Sequence, residues 1–551
     1  MNLDHPTTAP AIRVSASAQP YPRHRLALLR HGWAQRRFGV VLLALSLALA
    51  LVLVMPAQAA SHRVVVYEDG NGNGQRDDAE TGLAGVKLVL NERVLVLTDA
   101  EGRAMLPARG RDTIALVKPP GYAVPLREDG LPDFWRRAAS VGEPLDIAFG
   151  LRRSDTSNRF EVLVFGDPQP KSLTDVDYYR RDIVEPLIGQ HTARIGVSLG
   201  DIVHDDLSLY PAINAVTARL AVPWLHVAGN HDLDADAADD DSSLATFSAT
   251  FGPDTFAWEE GEVVFIGLDD VIHLPGQQPA YVGGLRPAQF AFLEAYLDTV
   301  PADRLVVIAL HIPLFDVDPE RETFRSADRQ RLFALLARFA QRLVLSAHMH
   351  SQLHYLHDAA DGWTGQVPLH EYNVGATCGG FWSGLKDGDG IPDSTMADGT
   401  ANGYALMRIE GSNYRLAWHP ARDIHDTQIA LHAPKVLRQG AWPGVSVYAN
   451  VMMAMSDALV DYRIDDGPWR AMARVHEADP GMLARNLADD ASDVLRGYDR
   501  APQASVSSHL WRAPLPTNLA LGEHRIQVRS DDRWRGEINA ETRYRLDQAA
   551  P

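Results

Sequence analysis

The chain has 551 residues, 46% hydrophobic and 22% charged, with a formal charge of −19 from 52 Lys and Arg against 71 Asp and Glu. That length exceeds what one hydrophobic core usually organises, so two to four domains are expected, and the composition excludes both an extended disordered chain and a polytopic membrane protein. The negative charge argues against a nucleic-acid partner, and the single cysteine, Cys378, excludes an internal disulfide.

In chain order, residues 1–37 carry Arg13, Arg23, Arg25, Arg30, Arg36 and Arg37 with one acid, and 40–55 is an unbroken run of apolar and small residues ending at Pro56-Ala57-Gln58-Ala59. A basic start, an apolar run shorter than the roughly 20 residues that span a bilayer, and small residues at its end make a signal peptide. Cleavage is expected after Ala59, leaving a periplasmic or extracellular protein. The alternative is an uncleaved anchor over 38–60, which would make the membrane a partner. No cysteine follows the run, so no lipid attachment site is present. Losing residues 1–59 removes six arginines and one aspartate and takes the formal charge from −19 to −24. An anionic substrate must then be drawn in locally, and bound divalent cations are the usual device.

From residue 60 to about 155, β-like runs at 62–67, 86–90, 94–98 and 113–117, without long helical periods, predict a small β-sandwich. Its loop 69–80 fits D-x-[DN]-x-[DN]-G-x5-E at every specified position, a pattern that presents oxygen ligands to calcium. The candidate ligands are Asp69, Asn71, Asn73, Gln75, Asp77 and Glu80; the alternative is a Gly/Asn-rich hairpin that needs no ion.

Between 156 and 420 the pattern changes to alternating β and α. Buried-type strands are expected at 160–165, 194–199, 224–228, 263–268, 305–310 and 343–346, with helices at 175–189, 287–297 and 329–341, which implies a mostly parallel sheet. From 421 to 551 β-like runs return at 445–453, 458–464 and 524–529, predicting a second β-rich domain.

The ends of the central strands read GDPQ at 166–169, GDIVHDD at 200–206, GNHD at 229–232, LHIP at 310–313 and AHMHS at 347–351. One such site is ordinary turn chemistry. Five of them at the carboxyl ends of strands in one α/β domain form a ligand site. Two divalent ions about 3.5–4 Å apart need a bridging carboxylate surrounded by Asp, Asn and His ligands, and Asp201 suits the bridge.

Over roughly 160–350 this motif series resembles the calcineurin-like metallophosphoesterase superfamily. The resemblance implies a four-layer α/β/β/α sandwich core, here flanked by two β-sandwich domains. It implies that Asp167, Gln169, Asp201 and His350 surround one metal, that Asp201, Asn230, His311 and His348 surround the other, and that His231 protonates the leaving group. A hydroxide bridging the two ions would attack phosphorus in line, hydrolysing phosphate mono- or diesters. The mixed N/O donors suit Mn, Fe or Zn better than Ca or Mg. The chain departs from the family pattern in three places: Gln169 stands where His is common, His204 where an Asp orienting the catalytic His is common, and Ala347 where Gly is common. Asp205 or Asp206 is a candidate substitute for that orienting carboxylate; the alternative is that the dyad is missing.

Residues 375–404, with GGFWSG at 379–384 and DGDGIPDS at 387–394, form a long irregular segment just after the last metal motif. Such loops beside a catalytic centre are usually functional. Phe381 and Trp382 are candidates to flank the organic part of a substrate, and Asp387, Asp389 and Asp393 to bind calcium; the alternative is a packing loop. Together with DDLSLYP at 205–211, VDYRI at 460–464 and HLW at 509–511, this segment resembles the three-part subgroup with dedicated N- and C-terminal domains. The expected substrate is a small or medium phosphate ester. The competing function is an envelope-associated binding protein whose core has lost catalysis, which the complete ligand set disfavours. A nuclease is disfavoured by the charge. The sequence does not set the oligomeric state.

Overall fold

A computed structural model describes residues 60–318 and 320–549. The signal segment expected at 1–59 lies outside the described residues.

The central region is two mixed sheets packed face to face. In chain order its strands are β1 (Arg159–Phe165), β2 (Ala193–Leu199), β3 (Trp224–Val227), β4 (Phe256–Glu260), β5 (Val263–Gly267), β6 (Leu305–Ala309), β7 (Gln341–Ser346), β8 (Leu353–His357), β9 (Leu369–Asn373), β10 (Gly403–Glu410) and β11 (Asn413–Pro420). One sheet runs β3-β2-β1-β10-β11 and the other β4-β5-β6-β7-β9-β8. The strands that carry the site are parallel to their site-bearing neighbours, so their carboxyl ends gather on one edge.

The layering follows from side-chain alternation along strands buried on both faces. Phe265, Val307 and Leu345 point into the core shared with the first sheet, among Val162, Val164 and Val197. Their neighbours Val264, Ile266, Val306, Ile308 and Val344 point the other way, onto Phe290, Leu293, Leu332, Phe333 and Leu336. Those partners lie on the helices Pro287–Leu297 and Ser326–Leu336. The outer face of the first sheet is covered by Leu173–Tyr179 and Tyr210–Thr217, with Tyr179 edge-on to Phe165. This is the α/β/β/α arrangement expected. Two helices differ in detail. The one expected at 175–189 breaks into Leu173–Tyr179, a π-helical turn at Arg180–Val184 and Glu185–Leu187. The one expected at 329–341 begins at Ser326 and stops at Leu336, because Phe339 turns into the core and Gln341 already starts β7.

N-terminal to this lie two four-stranded sheets, and Ser61–Glu68 pairs in parallel with Asp146–Arg153 at the centre of one. Lys118 of this region is buried and ion-paired to Glu260 of β4. C-terminal to it, four- and five-stranded sheets enclose a core around Val447, Trp511, Ile526 and Tyr544. A helix absent from the sequence reading, Pro480–Asp490, is capped by the Asp479 carboxylate on the Met482 amide. No helix among the described residues is long and apolar enough to cross a membrane.

Candidate metal centre

The turns after β1, β2, β6 and β7 and the turn after β3 bring all seven proposed ligands to one edge of the sandwich. Five of them, Asp167, Gln169, Asp201, His348 and His350, have positive φ between 42° and 70°. Such a conformation costs a non-glycine residue of order 1–3 kcal/mol, and it persists where the surroundings over-determine it. Two glycines of the motifs have steric reasons. A Cβ on Gly200, at φ 86°, would lie 2.4 Å from the His311 ring, and one on Gly229 would lie 2.2 Å from the Asp201 amide.

Asp201 is the hub. Its Oδ1 accepts the His231 amide at 2.8 Å and lies 3.4 Å from His311 Nε2, while its Oδ2 accepts the Gln169 side-chain amide at 3.1 Å. Asn230 Oδ1 is 3.0 Å and His348 Nδ1 3.2 Å from His311 Nε2. On the other side His350 Nε2 lies 3.8 Å from Asp167 Oδ1, and the Asp167 carboxylate accepts the His348 amide at 3.2 Å. Gln169 presents its NH2 to the hub, with its oxygen 3.7 Å from Cys378 Sγ, so ligation through oxygen requires the amide to turn over.

The donor chemistry fits divalent cations. Asp167 and Asp201 are fully buried, and neither has a Lys or Arg ion-pair partner among the described residues. Burial pushes both carboxyls up, for Asp167 reinforced by the charge of Asp201. For Asp201 the neighbouring His231 works against that rise, whereas burial holds His311 and His348 down at about 3 and His350 at about 4, so these three are neutral. Nδ1 of His311 is bonded to the Leu199 carbonyl and Nδ1 of His350 to the Gly379 carbonyl, which leaves Nε2 of each free to ligate. Two like-charged buried carboxylates facing neutral imidazoles form a site that a cation completes.

His231 stands beside the hub and is 27% exposed, within reach of a bound ester. The Asp205 backbone, at φ 64°, swings its carboxylate to 2.7 Å from His231 Nδ1, while Asp206 instead caps the turn at Leu207–Leu209. His204, at the position where the family pattern has an acid, stacks on His231 with ring centroids 4.4 Å apart. Burial pulls His231 down, but Asp201 and Asp205 outweigh it and the net shift is upward.

Asp270 and Asp232 contribute in ways the sequence did not single out. Asp270 accepts the amides of His311 and Ile312 at 3.0 and 2.9 Å, and Asp232 those of Gly229 and Ile202, fastening the ligand loops. Burial, then the charge of Asp201, pushes Asp232 up to about 7. Phe381 stacks on His350 at 4.3 Å and is 41% exposed, so it can meet a substrate. Trp382 is buried with its indole N–H on the Pro168 carbonyl, and serves the loop instead. Asp387 is ion-paired to Arg422 and Asp393 to Arg485. In the N-terminal loop, Asp69 accepts the amides of Gly72 and Gly74, Asn71 and Asn73 direct their NH2 groups to Asp77, Glu80 accepts the amides of Gly70 and Asp77, and the Gln75 amide bonds Asn73.

A mixed-sheet α/β/β/α sandwich with Asp, Asn, Gln and His side chains gathered around a central carboxylate at one sheet edge is the arrangement of a metal-dependent hydrolase. Residues 160–352 match the calcineurin-like phosphoesterase family, and residues 371–537 match the C terminal of calcineurin-like phosphoesterase. The protein therefore carries a calcineurin-like phosphoesterase domain with its C-terminal domain and is a phosphate-ester hydrolase. Similar solved structures include a purple acid phosphatase from seeds of yellow lupin (Lupinus luteus), 13% identical with a TM-score of 0.35 over 62% of this chain and 70% of that one. A dimetal phosphatase from Danio rerio is 14% identical with a TM-score of 0.32, over 47% of this chain and 95% of that one. The shaft pilin SpaA from Lactobacillus rhamnosus GG is 12% identical with a TM-score of 0.13, over 20% of this chain and 54% of that one. No curated protein matches the chain.

Proposed function

We propose that the protein is an exported phosphoesterase that hydrolyses small or medium phosphate mono- or diesters, using Asp167, Gln169, Asp201 and His350 to hold one divalent ion and Asp201, Asn230, His311 and His348 to hold a second. The observation that carries this reading is the pair of fully buried carboxylates, without a Lys or Arg partner among the described residues, facing the imidazoles of His311, His348 and His350 at one sheet edge. Ions of the Mn, Fe or Zn type bound there supply positive charge against the phosphoryl oxygens and make water acidic enough to attack at neutral pH.

The chain's own residues do the rest. Asp201 holds the two halves of the donor set in register through its contacts to Gln169 and His311. Asp205 fixes the His231 ring by its Nδ1 and favours the imidazolium, so His231 offers its Nε2 proton to a departing alkoxide. Phe381 and His204 flank that position with aromatic faces. Export is supported by the arginine-rich start and the apolar run ending at Ala59. The 69–80 loop is read as a calcium site, supported by its complete motif.

The test is turnover of mono- and bis-p-nitrophenyl phosphate by manganese-supplemented protein. Release of nitrophenolate with two ions bound per chain is the expected result. No release from either ester, with an empty centre by metal analysis, would overturn the reading.

A further inference from the structure

One wall of the metal centre opens into a cleft of about 380 Å³ that the reading above leaves unused. His348 is among its lining residues, and Tyr281 meets His348 edge-on with ring centroids 6.0 Å apart. Tyr281 comes from a hairpin, Val271–His273 paired with Tyr281–Gly283, and Gly283 bridges to Phe324 of the facing loop. Ile312 and Val317 give the cleft an apolar floor beside the Tyr281 ring.

The facing loop carries Arg321 and Arg325, both lining the cleft. Asp316 holds this loop in place by accepting the amides of Thr323 and Phe324 and by pairing with Arg329 at 3.3 Å. The two arginines themselves are nearly unpartnered. Arg325 makes no side-chain hydrogen bond or ion pair among the described residues, and Arg321 has only Asp318 at 4.0 Å, a solvent-exposed contact worth little. Glu322 is the acid on this wall, and it accepts the Ser326 amide at the start of the helix. In a chain of formal charge −19, two arginines with no ion pair shorter than 4.0 Å among the described residues, lining a cleft beside a phosphoryl site, mark a place for an anion.

We propose, resting on the phosphoesterase reading, that the cleft receives the organic part of the substrate against Tyr281 and that Arg321 and Arg325 bind a second anionic group on it. The preferred substrates are phosphate esters whose organic part is flat or apolar and is itself phosphorylated. Simple monophosphates engage the metal centre alone.

The test compares two nucleotides that differ only in a second phosphate. Manganese-loaded full-length protein is titrated calorimetrically with thymidine 5′-monophosphate and thymidine 3′,5′-bisphosphate. Two charge-assisted Arg–phosphate contacts predict that the bisphosphate binds at least about tenfold more tightly. In the Arg321→Gln/Arg325→Gln double variant, whose changes lie on the cleft wall, that ratio should fall to within about threefold. Equal affinity for the two nucleotides in the wild-type protein overturns the inference, and so does an undiminished ratio in the double variant. Nitrophenolate release by the same preparation reports separately: no turnover with the affinity ratio intact refutes the phosphoesterase reading and leaves the anion site standing.

Discussion

The Asp205–His231 pair gives the sharpest test of how this site handles protons. Asp205 Oδ1 is 2.7 Å from His231 Nδ1, with Asp205 72% and His231 27% exposed. Unit charges at that separation in a water-like medium attract by about 1.5 kcal/mol, and the mobility and exposure of Asp205 remove part of that. Asp205→Asn keeps an acceptor for the ring N–H and loses the charge, so about 1 kcal/mol of imidazolium stabilisation should disappear. For an alkyl ester, whose leaving oxygen needs a proton, kcat should fall roughly fivefold to tenfold. For the p-nitrophenyl ester of the same type, which leaves as a stable anion, the loss should stay under about twofold, because no general acid is needed. His231→Ala sets the ceiling, a loss of about 10² to 10⁴ confined to the alkyl ester. Steady-state kinetics on the matched ester pair is the assay. Equal loss on both esters for Asp205→Asn would refute the reasoning, as would Asp206→Asn reproducing the effect.

Three further outcomes follow from the geometry. Asp201→Asn should lower turnover by at least about 10²-fold and reduce bound metal from two ions toward one per chain by elemental analysis, because its two oxygens face both donor groups; full metal content would remove Asp201 from the bridge. Calcium at about 1 mM, added to manganese-loaded protein, should stabilise it by about 1.4 kcal/mol if the 69–80 loop binds near 10⁻⁴ M, and Asp77→Ala should abolish the gain; an unmoved melting curve would favour the ion-free hairpin. Asp112 is the acid-sensitive point of the N-terminal region. Burial pushes it up, but Asn91, the Arg109 and Gly110 amides and His62 outweigh that and hold it down at about 2. A folded-state value below the ordinary carboxyl range means the stabilisation is complete at neutral pH and is lost as pH falls from about 4 toward 2. Asp112→Asn should cost on the order of 2 kcal/mol in urea unfolding at pH 7 and less at pH 3; equal cost at both would refute the assignment.

What the sequence made legible was the part constrained by element type and by metal chemistry together. Runs such as Leu305–Ala309 are apolar throughout because both faces are covered, and the residue just past such a run sits at a sheet edge. A His or Asp–Gly turn repeated at several of those edges has few explanations besides a ligand set. Where one residue's backbone conformation decided the outcome, sequence failed. Nothing in the string His204-Asp205-Asp206 says that Asp205 adopts a left-handed conformation and takes the place of an acid one position earlier. The helix Pro480–Asp490 did leave a signal, Asp479 followed by Pro480, an N-cap followed by proline at the first helical position. Tyr281 left none, since its meeting with His348 depends on a hairpin placed by tertiary packing.

The same backbone feature bears on why the centre requires ions. Five proposed ligands in the left-handed region, at about 1–3 kcal/mol each, represent several kcal/mol of local strain in addition to two buried like-charged carboxylates. The surrounding structure offsets it through Asp270 and Asp232, which take up loop amides, and through the carbonyls of Leu199 and Gly379, which orient His311 and His350. These contacts, with the hydrogen bonds from Gln169 to Asp201 and between Asn230 and His311, hold the donors in place. Positive charge at the centre supplies the missing attraction, so the arrangement is preorganised for cations before a substrate arrives. The fold has placed its strain where binding a metal releases the most electrostatic cost.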